Sequence, residues 1–420
     1  MKSRILPIPS GSWPASNIHD LRATLEQHLD LAYQGDMIPP GYHHAAFNPI
    51  VEEDQLCEDG AERRHAPSDE WKFRVWAGGH MKFDEPIIYL TITTNSISTK
   101  TTNFVQVTEK ITDVRVVGGS GDLASRDAKI FVTLTKSFRA EQGSDGPTTS
   151  RLQFGNSNSE SEYLNDSNNK ETNRNSLDVN TTTSATPLIK EQKHLCFMRH
   201  IPPSLKTAQT TPRKMRPPTN PFHSQTMTPS RTLLFRFSAL SQNAHAIHLD
   251  SEFTTRVYGL PKLLVQGPLT SVLMLEVLRK ALELVVHEQN SRVYEDEYEH
   301  EHHHQHQNRK VLLAVREFEY KNLLPLFVDE SITIACKRVA VPPIAATGEE
   351  GKGDNDEENH RPSGRDGDHD TPNSRPDRPG DEHESQKWDV WIQKGQGENA
   401  TLAVKGRAIV QAVSTRLRPV

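Results

Sequence analysis

The sequence predicts an α+β protein of two halves, each an antiparallel sheet, with the second half wrapped around one central helix. Three observations carry this expectation. Runs rich in Val, Ile and Thr recur at 87–95, 104–117, 129–136, 310–320, 331–339, 388–394 and 401–413, as a pleated, partly buried surface requires. Segment 270–286 is apolar on most sides through Val272, Leu273, Leu275, Val277, Leu278, Leu282 and Val285, the mark of a helix enclosed by other elements. Between the halves lies a stretch rich in Pro, Thr and basic residues, 202–229. No sequence repeat relates the two halves.

Taken in order, residues 1–36 read as a leading segment and a helix. Lys2 and Arg4 with four early serines, and no acid before Asp20, look weakly like a mitochondrial presequence, although Pro7, Pro9 and Pro14 interrupt any amphipathic helix. The helix is expected over 17–31, from the spacing of Leu21, Leu25, Leu29 and Leu31, with Asn17 as its cap. Residues 37–202 form the first half. It opens with a polar-aromatic loop at 41–49, whose His43 and His44 read as loop residues rather than metal ligands because no third ligand is near in sequence. Segment 71–82 alternates and breaks at Gly78 and Gly79, which predicts two strands around a tight turn. Segment 188–200 returns to the sheet as a last strand. Residues 203–230 are assigned to a linker and 231–420 to the second half.

Three polar inserts interrupt this outline. Segments 141–186 and 348–387 carry too little apolar surface to offset ordering entropy and are expected to be disordered. The His- and Glu-rich tract 295–309 reads as a solvated insertion; nothing in it fixes the geometry of a metal site.

Composition excludes several classes. With 420 residues, 34% of them hydrophobic, the chain has enough apolar material outside the inserts for two units. A net charge of -6 without a dense basic stripe argues against a nucleic-acid footprint, and the bases of 202–229 read as a solvated linker. No run of 18 apolar residues predicts a membrane span. Cys57, Cys196 and Cys336 are far apart and form no redox or metal pair, so a reducing compartment is expected.

The chemistry concentrates in 231–269. A strand is expected at 233–237. Asn243, His245 and His248 follow within six residues, and Gly267 and Pro268 open the apolar helix. Imidazoles and an amide just upstream of a helix N-terminus suit proton transfer beside an anion-stabilising backbone site. Each residue also has a plain structural reading: His248 bonded to backbone at a strand end, Asn243 capping a turn, His245 a structural neighbour, Asp250 capping the turn 251–256.

The run FSALSQNAHAIHLD (237–250), with Asn243 five residues before His248, resembles the MaoC-like hydratases and dehydratases of the hotdog fold. With the later GPL (267–269), PPGYHHAAFNP (39–49), FRVWAGG (73–79), the pair Asp59 and Gly60, and NLLPLFVDE (322–330), it is most similar to the mitochondrial hydroxyacyl-thioester dehydratase type 2 family, and to the related mesaconyl- and itaconyl-CoA hydratases. The resemblance implies a double hotdog, a pseudo-dimer within one chain that leaves a homodimer open. It implies an (R)-specific 3-hydroxyacyl-thioester dehydratase, a hydro-lyase without cofactor or metal, in mitochondrial fatty-acid synthesis. Acyl carrier protein or CoA would carry the substrate, and the enzyme would reside in the mitochondrial matrix, otherwise in the cytoplasm. His248 would act as acid/base, Asn243 would hold the water or hydroxyl, and the N–H groups of Gly267 and Leu269 would face the thioester oxygen; Pro268 has no N–H to offer. His245, Trp76, Gly78 and Gly79 would line the substrate. Two departures stand out: Asn243 occupies the place of the Asp of classical R-specific hydratases, and Gln266 the place where the family often has His. The competing readings are a hydratase of short dicarboxylyl-CoA, which a cationic side chain near the acyl end would favour, and a non-catalytic acyl-thioester-binding hotdog protein.

Overall fold

The computed structural model describes residues 5–6, 8–33, 37–49, 51–84, 104–118, 123, 125, 127–140, 187–201, 215–298, 310–340 and 385–415. The expectations placed on 1–4, 87–95, 141–186, 299–309 and 348–384 lie outside these residues.

The described strands are β1 (Ile5–Leu6), β2 (Gly11–Ser12), β3 (Phe73–Phe83), β4 (Phe104–Val117), β5 (Lys129–Ala140), β6 (Ile189–Met198), β7 (His223–Met227), β8 (Lys310–Asn322), β9 (Ile332–Arg338), β10 (Gln386–Lys394) and β11 (Thr401–Thr415). They form one antiparallel sheet in the order β1-β4-β5-β6-β3-β8-β11-β10-β9-β7, with β2 beside β4. The first half contributes β4-β5-β6-β3 and the second β8-β11-β10-β9. They join where β3 pairs β8, with Gly78 opposite Lys321, Gly79 opposite Tyr320 and Met81 opposite Phe318. Among the described residues, the helices of ten residues or more are α1 (Ala15–Leu25), α2 (Arg231–Leu240) and α3 (Gly267–Tyr298).

Helix α3 is the axis of the second half. Val272, Leu273, Met274, Leu275, Val277, Leu278 and Ala281 are wholly buried, in one cluster with Val315 and Phe318 of β8, Ile334 of β9, Val390 of β10 and Val404 of β11. Each Val or Leu buried there contributes roughly 1.5–3 kcal/mol. The first half has no comparable helix among the described residues. Its place is taken partly by the buried turn Tyr42–Ala45, which presses on α3: a Cβ at Gly41 (φ +94°) would lie 3.0 Å from Leu275 Cδ1. The α+β double hotdog expected from the sequence is thus present, with its central helix in the second half.

Several local expectations change. The run 233–237 is helical. Ser230 caps α2 through Oγ, which accepts from Leu233 N at 3.1 Å, and Leu233, Leu234 and Phe237 face inward at helical spacing while Phe235 is exposed. A short apolar run is ambiguous between periods 2 and 3.6, and the cap decides it. Segment 71–82 holds one strand, β3, not a hairpin. Its register against β6 shifts between Trp76 and Gly78, leaving Ala77 as a bulge. The glycines mark close approach of β8: a Cβ on Gly78 (φ +152°) would meet Tyr320 O at 2.2 Å. The expected linker contains β7, which covers the free edge of β9. Helix α1 ends at Leu25, six residues early, and Asn17 does not cap it; Asn17 Nδ2 donates instead to Ala45 O at 2.8 Å. Helix α3 runs on to Tyr298, into the expected insert, and Gln386 and Lys387 belong to β10.

Candidate active site

After α2, Gln242 adopts φ 52° and reverses the chain, with Asn243 N donating to Ser238 O at 2.9 Å. Asn243 Oδ1 accepts from His245 N at 3.2 Å, and Ala246–His248 forms a single turn. The first half clamps this loop. Asp59 O accepts from Ala246 N at 2.8 Å, and Gly60 (φ +75°) lies so close that a Cβ would be 2.3 Å from Ala244 O. Only glycine permits that approach.

His248 donates from Nδ1 to Leu264 O at 2.7 Å, which fixes the tautomer and leaves the Nε2 lone pair available. Burial, reinforced by the charge of a nearby His245, pushes its pKa down to about 3, so the ring is neutral near pH 7. His245 is held differently. Its Nε2 lies 3.0 Å from both Tyr258 Oη and Asp59 Oδ2, and the Tyr258 hydroxyl donates to the same carboxylate oxygen at 2.6 Å. Burial opposes ionisation of Asp59, yet the bonds from His245, Tyr258 and Ala61 N–H hold its carboxyl well below the usual range. The His245 ring stands edge-on to that of His248 at a centroid distance of 5.5 Å.

These residues border a cavity of about 430 Å³ between the two halves. One wall carries Asn243, His245, His248 and, at the start of α3, Gly267, Pro268 and Thr270. The first N–H groups of a helix lack intrahelical acceptors and attract negative charge. Gly267 is pinned beneath Trp76, whose Cγ would be 2.4 Å from a Cβ there. Leu269 shares this first turn, but its side chain is buried in the core rather than lining the cavity. Trp76 lines the cavity and donates from Nε1 to Tyr320 Oη at 2.9 Å. Gly78 and Gly79 do not line it; they belong to the β3–β8 seam, where backbone approach rather than substrate requires glycine.

The hydroxyacyl-thioester dehydratase type 2 family matches this chain over residues 41–188 and 149–328. The chain belongs to that family. Among relatives, it is 23% identical over 327 residues to the mitochondrial hydroxyacyl-thioester dehydratase type 2 of Schizosaccharomyces pombe, a match covering 76% of this chain and 85% of the relative. It is 37% identical over 91 residues to the mesaconyl-C(4)-CoA hydratase of Chloroflexus aurantiacus, covering 22% of this chain and 31% of that protein. A solved MaoC-like dehydratase is similar at 10% identity and a TM-score of 0.46, over 98% of both chains.

Gln266, the departure noted from the sequence, precedes the first turn of α3. It is buried and donates from Nε2 to Leu234 O at 2.8 Å and Ser238 Oγ at 2.9 Å, tying α2 to the start of α3. It is therefore a brace and holds no proton to transfer. Tyr258 and Arg74 also reach the site, and no spacing in the sequence announced them. Asp59 was legible only as half of a familiar pair; its carboxylate meets His245 across 186 positions of chain.

The histidines of the first half form a second cluster, from which His44 and Lys193 reach the same cavity. His43 Nε2 and His44 Nδ1 each lie 3.6 Å from Glu191, which comes from β6, and Lys193 Nζ is 4.0 Å from the same carboxylate. Lys193 pairs more closely with Glu109, at 2.8 Å, and Lys136 donates to Phe47 O at 2.9 Å. The sequence offered no third group near His43 and His44; folding brings one, beside two lysines that already balance the carboxylates.

Proposed function

We propose that the protein interconverts (R)-3-hydroxyacyl and 2-enoyl thioesters, acting as a hydro-lyase. The observation that carries this reading is His248, neutral, oriented by Leu264 O, and facing the same cavity as Asn243 and the first turn of α3. In dehydration, Nε2 removes the C2 proton while charge gathers on the thioester oxygen. The N–H groups of Gly267 and Leu269 stabilise that charge, an effect worth about 3–4 kcal/mol per donor in comparable sites. The C3–O bond then breaks, the imidazolium returns the proton to the departing hydroxyl, and water leaves. Nothing is oxidised or reduced. Asn243 orients the hydroxyl but cannot transfer its proton, so one histidine carries the proton both ways. Trp76 fixes Gly267, and His245 supports His248 from behind.

Acyl carrier protein or CoA would present the thioester. A place in mitochondrial fatty-acid synthesis is supported by the name of the fission-yeast relative, and the dicarboxylyl alternative by that of the Chloroflexus hydratase. The test is loss of the enoyl absorbance of crotonyl-CoA with the purified full chain. Hydration abolished by His248→Ala is the expected result. No turnover of any enoyl or 3-hydroxyacyl thioester, on CoA or carrier protein, would leave a binding protein in its place.

A further inference from the structure

A run of hydrogen bonds reaches the first turn of α3 from the first half. His44 is buried in the turn Tyr42–Ala45 and lines the cavity. Its Nε2 lies 3.2 Å from Oγ of Ser271, a fully buried residue of α3 227 positions along the chain. Ser271 gives its one hydroxyl proton to Pro268 O, at 2.8 Å. Oγ therefore faces His44 as an acceptor, and Nε2 carries the imidazole proton. This bond is what holds the ring. Nδ1 stands 3.6 Å from Glu191 Oε1, outside hydrogen-bond reach, and neither ring nitrogen of His43 has a hydrogen-bond partner among the described residues.

Pro268 O and Leu269 N–H belong to one planar peptide unit. Pro268 and Thr270, on either side of Leu269, line the cavity. The Leu269 N–H is one of the two assigned above to the thioester oxygen. Three donors therefore follow one another in the same sense: His44 N–H to Ser271 Oγ, Ser271 O–H to Pro268 O, and, across the peptide, Leu269 N–H to the substrate. Hydrogen bonds aligned in this way polarise one another in a low-dielectric interior. Rotating the peptide would also leave a buried hydroxyl and a buried imidazole N–H without partners, so the chain fixes its plane. The peptide that carries Gly267 N–H is held locally instead: Gln266 O accepts from Thr270 N and Thr270 Oγ1, both at 3.0 Å.

We propose that His44 is a positioning residue for the reaction: acting through Ser271, it sets the plane and the strength of the Leu269 N–H donor. This rests on the hydro-lyase reading above. The amide of His44→Gln reaches the place of Nε2, whereas that of His44→Asn reaches only the place of Nδ1. In the purified full chain, His44→Asn should lower kcat for crotonyl-CoA hydration about tenfold, the scale of one hydrogen bond. KM should stay within about twofold, because charge on the thioester oxygen develops only in the transition state. His44→Gln should keep kcat within about threefold of the unmodified chain. Ser271→Ala should lower kcat at least as far as His44→Asn, and adding His44→Asn to it should cost nothing more, since the two residues act in series. Unchanged kcat in His44→Asn, equal losses in the Asn and Gln variants, or losses that multiply in the double variant would overturn the proposal. If the variants do not fold, a crystal structure of the unmodified chain with butyryl-CoA decides. A thioester oxygen about 3 Å from Leu269 N, with both Ser271 bonds in place, supports the proposal; an oxygen bound elsewhere, or either bond missing, overturns it. An unmodified chain inert towards every enoyl thioester removes the reaction and this proposal together. Hydration that none of these substitutions alters removes the role of His44 alone.

Discussion

Each half of the molecule buries two neighbouring histidines beside a carboxylate, and the two pairs serve different ends. In the second half, His245 is locked to Asp59 and Tyr258, while His248 keeps one nitrogen on Leu264 O and the other towards the cavity. In the first half, His43 and His44 flank Glu191 at 3.6 Å, with Lys193 4.0 Å from the same carboxylate and Lys136 bonded to Phe47 O. Burial pushes the pKa of Lys136 down to about 8, with Lys193 adding to the effect. The contrast follows from what fills each half. Helix α3 occupies the second half with hydrocarbon and offers its N-terminus to the cavity. The first half lacks such a helix among the described residues and fills the space with a turn and an internal charge cluster. A buried histidine becomes chemically useful where one nitrogen is fixed and the other opens on space; surrounded by fixed charges, it becomes part of a brace.

This contrast can be broken by mutation. The largest expected effect is on His248→Ala, which should lower kcat for crotonyl-CoA hydration by about 10²–10⁴, the range for losing a positioned acid/base, with little change in melting temperature. Near-normal turnover would move the chemistry elsewhere, His44 being the first place to look. Next comes Glu191→Gln. Removing one member of a buried ionic group typically costs about 3–5 kcal/mol, so thermal stability should fall steeply while the folded fraction keeps its kcat within a few-fold. A hundredfold loss of kcat at unchanged stability would make the first-half cluster part of the reaction.

Gly267→Ala tests the packing between the halves. The added methyl would sit 2.4 Å from Trp76 Cγ, and overpacking of this kind costs about 1–3 kcal/mol. Turnover should fall with it, since the first turn of α3 must move; wild-type kinetics would mean that its N–H groups do not hold the thioester oxygen. Asp59→Asn removes the anion bonded to His245 and Tyr258. A loss of about 1–3 kcal/mol is expected, with a smaller decrease in kcat than for His248→Ala. The smallest effect is that of pH. With a folded pKa of about 3, below the ordinary 6.5, His248 is an unprotonated base throughout pH 5–8, and kcat/KM should be flat there, with its acid limb near pH 3. Because the unfolded chain binds this proton more readily, His248 contributes stability that is present above pH 6.5 and is lost as pH falls towards 3. An activity limb at pH 6–7 would identify a different titrating group.

The strands from 104 onwards were readable because β-branched runs of that length have few alternatives, and α3 because a helix apolar on nearly every side must be enclosed. The run 233–237 was misread: five residues satisfy either period, and the choice lay with Ser230 just outside it. Gly78 and Gly79 signalled a special backbone, correctly, but the cause was contact with β8, more than 240 positions away, rather than a turn or a ligand. At the site, Asn243 and His248 were visible through their spacing within one loop. Asp59, Tyr258 and Arg74 were not assigned roles, because their meaning depends on strands and loops distant in the chain.

By itself, then, the sequence determined much of what is local: the long β-branched strands, which helix is buried, which residues cluster near its start, and the family pattern they spell. Tertiary structure alone decided what depends on long-range contact. It set the tautomer of His248 through Leu264 O, locked His245 to Asp59 and Tyr258, and brought Arg74 and His65 to the same cavity as both. Periodicity and propensity act over a few residues, whereas a histidine's proton position and an arginine's partner are fixed by whichever groups folding places within about 3 Å.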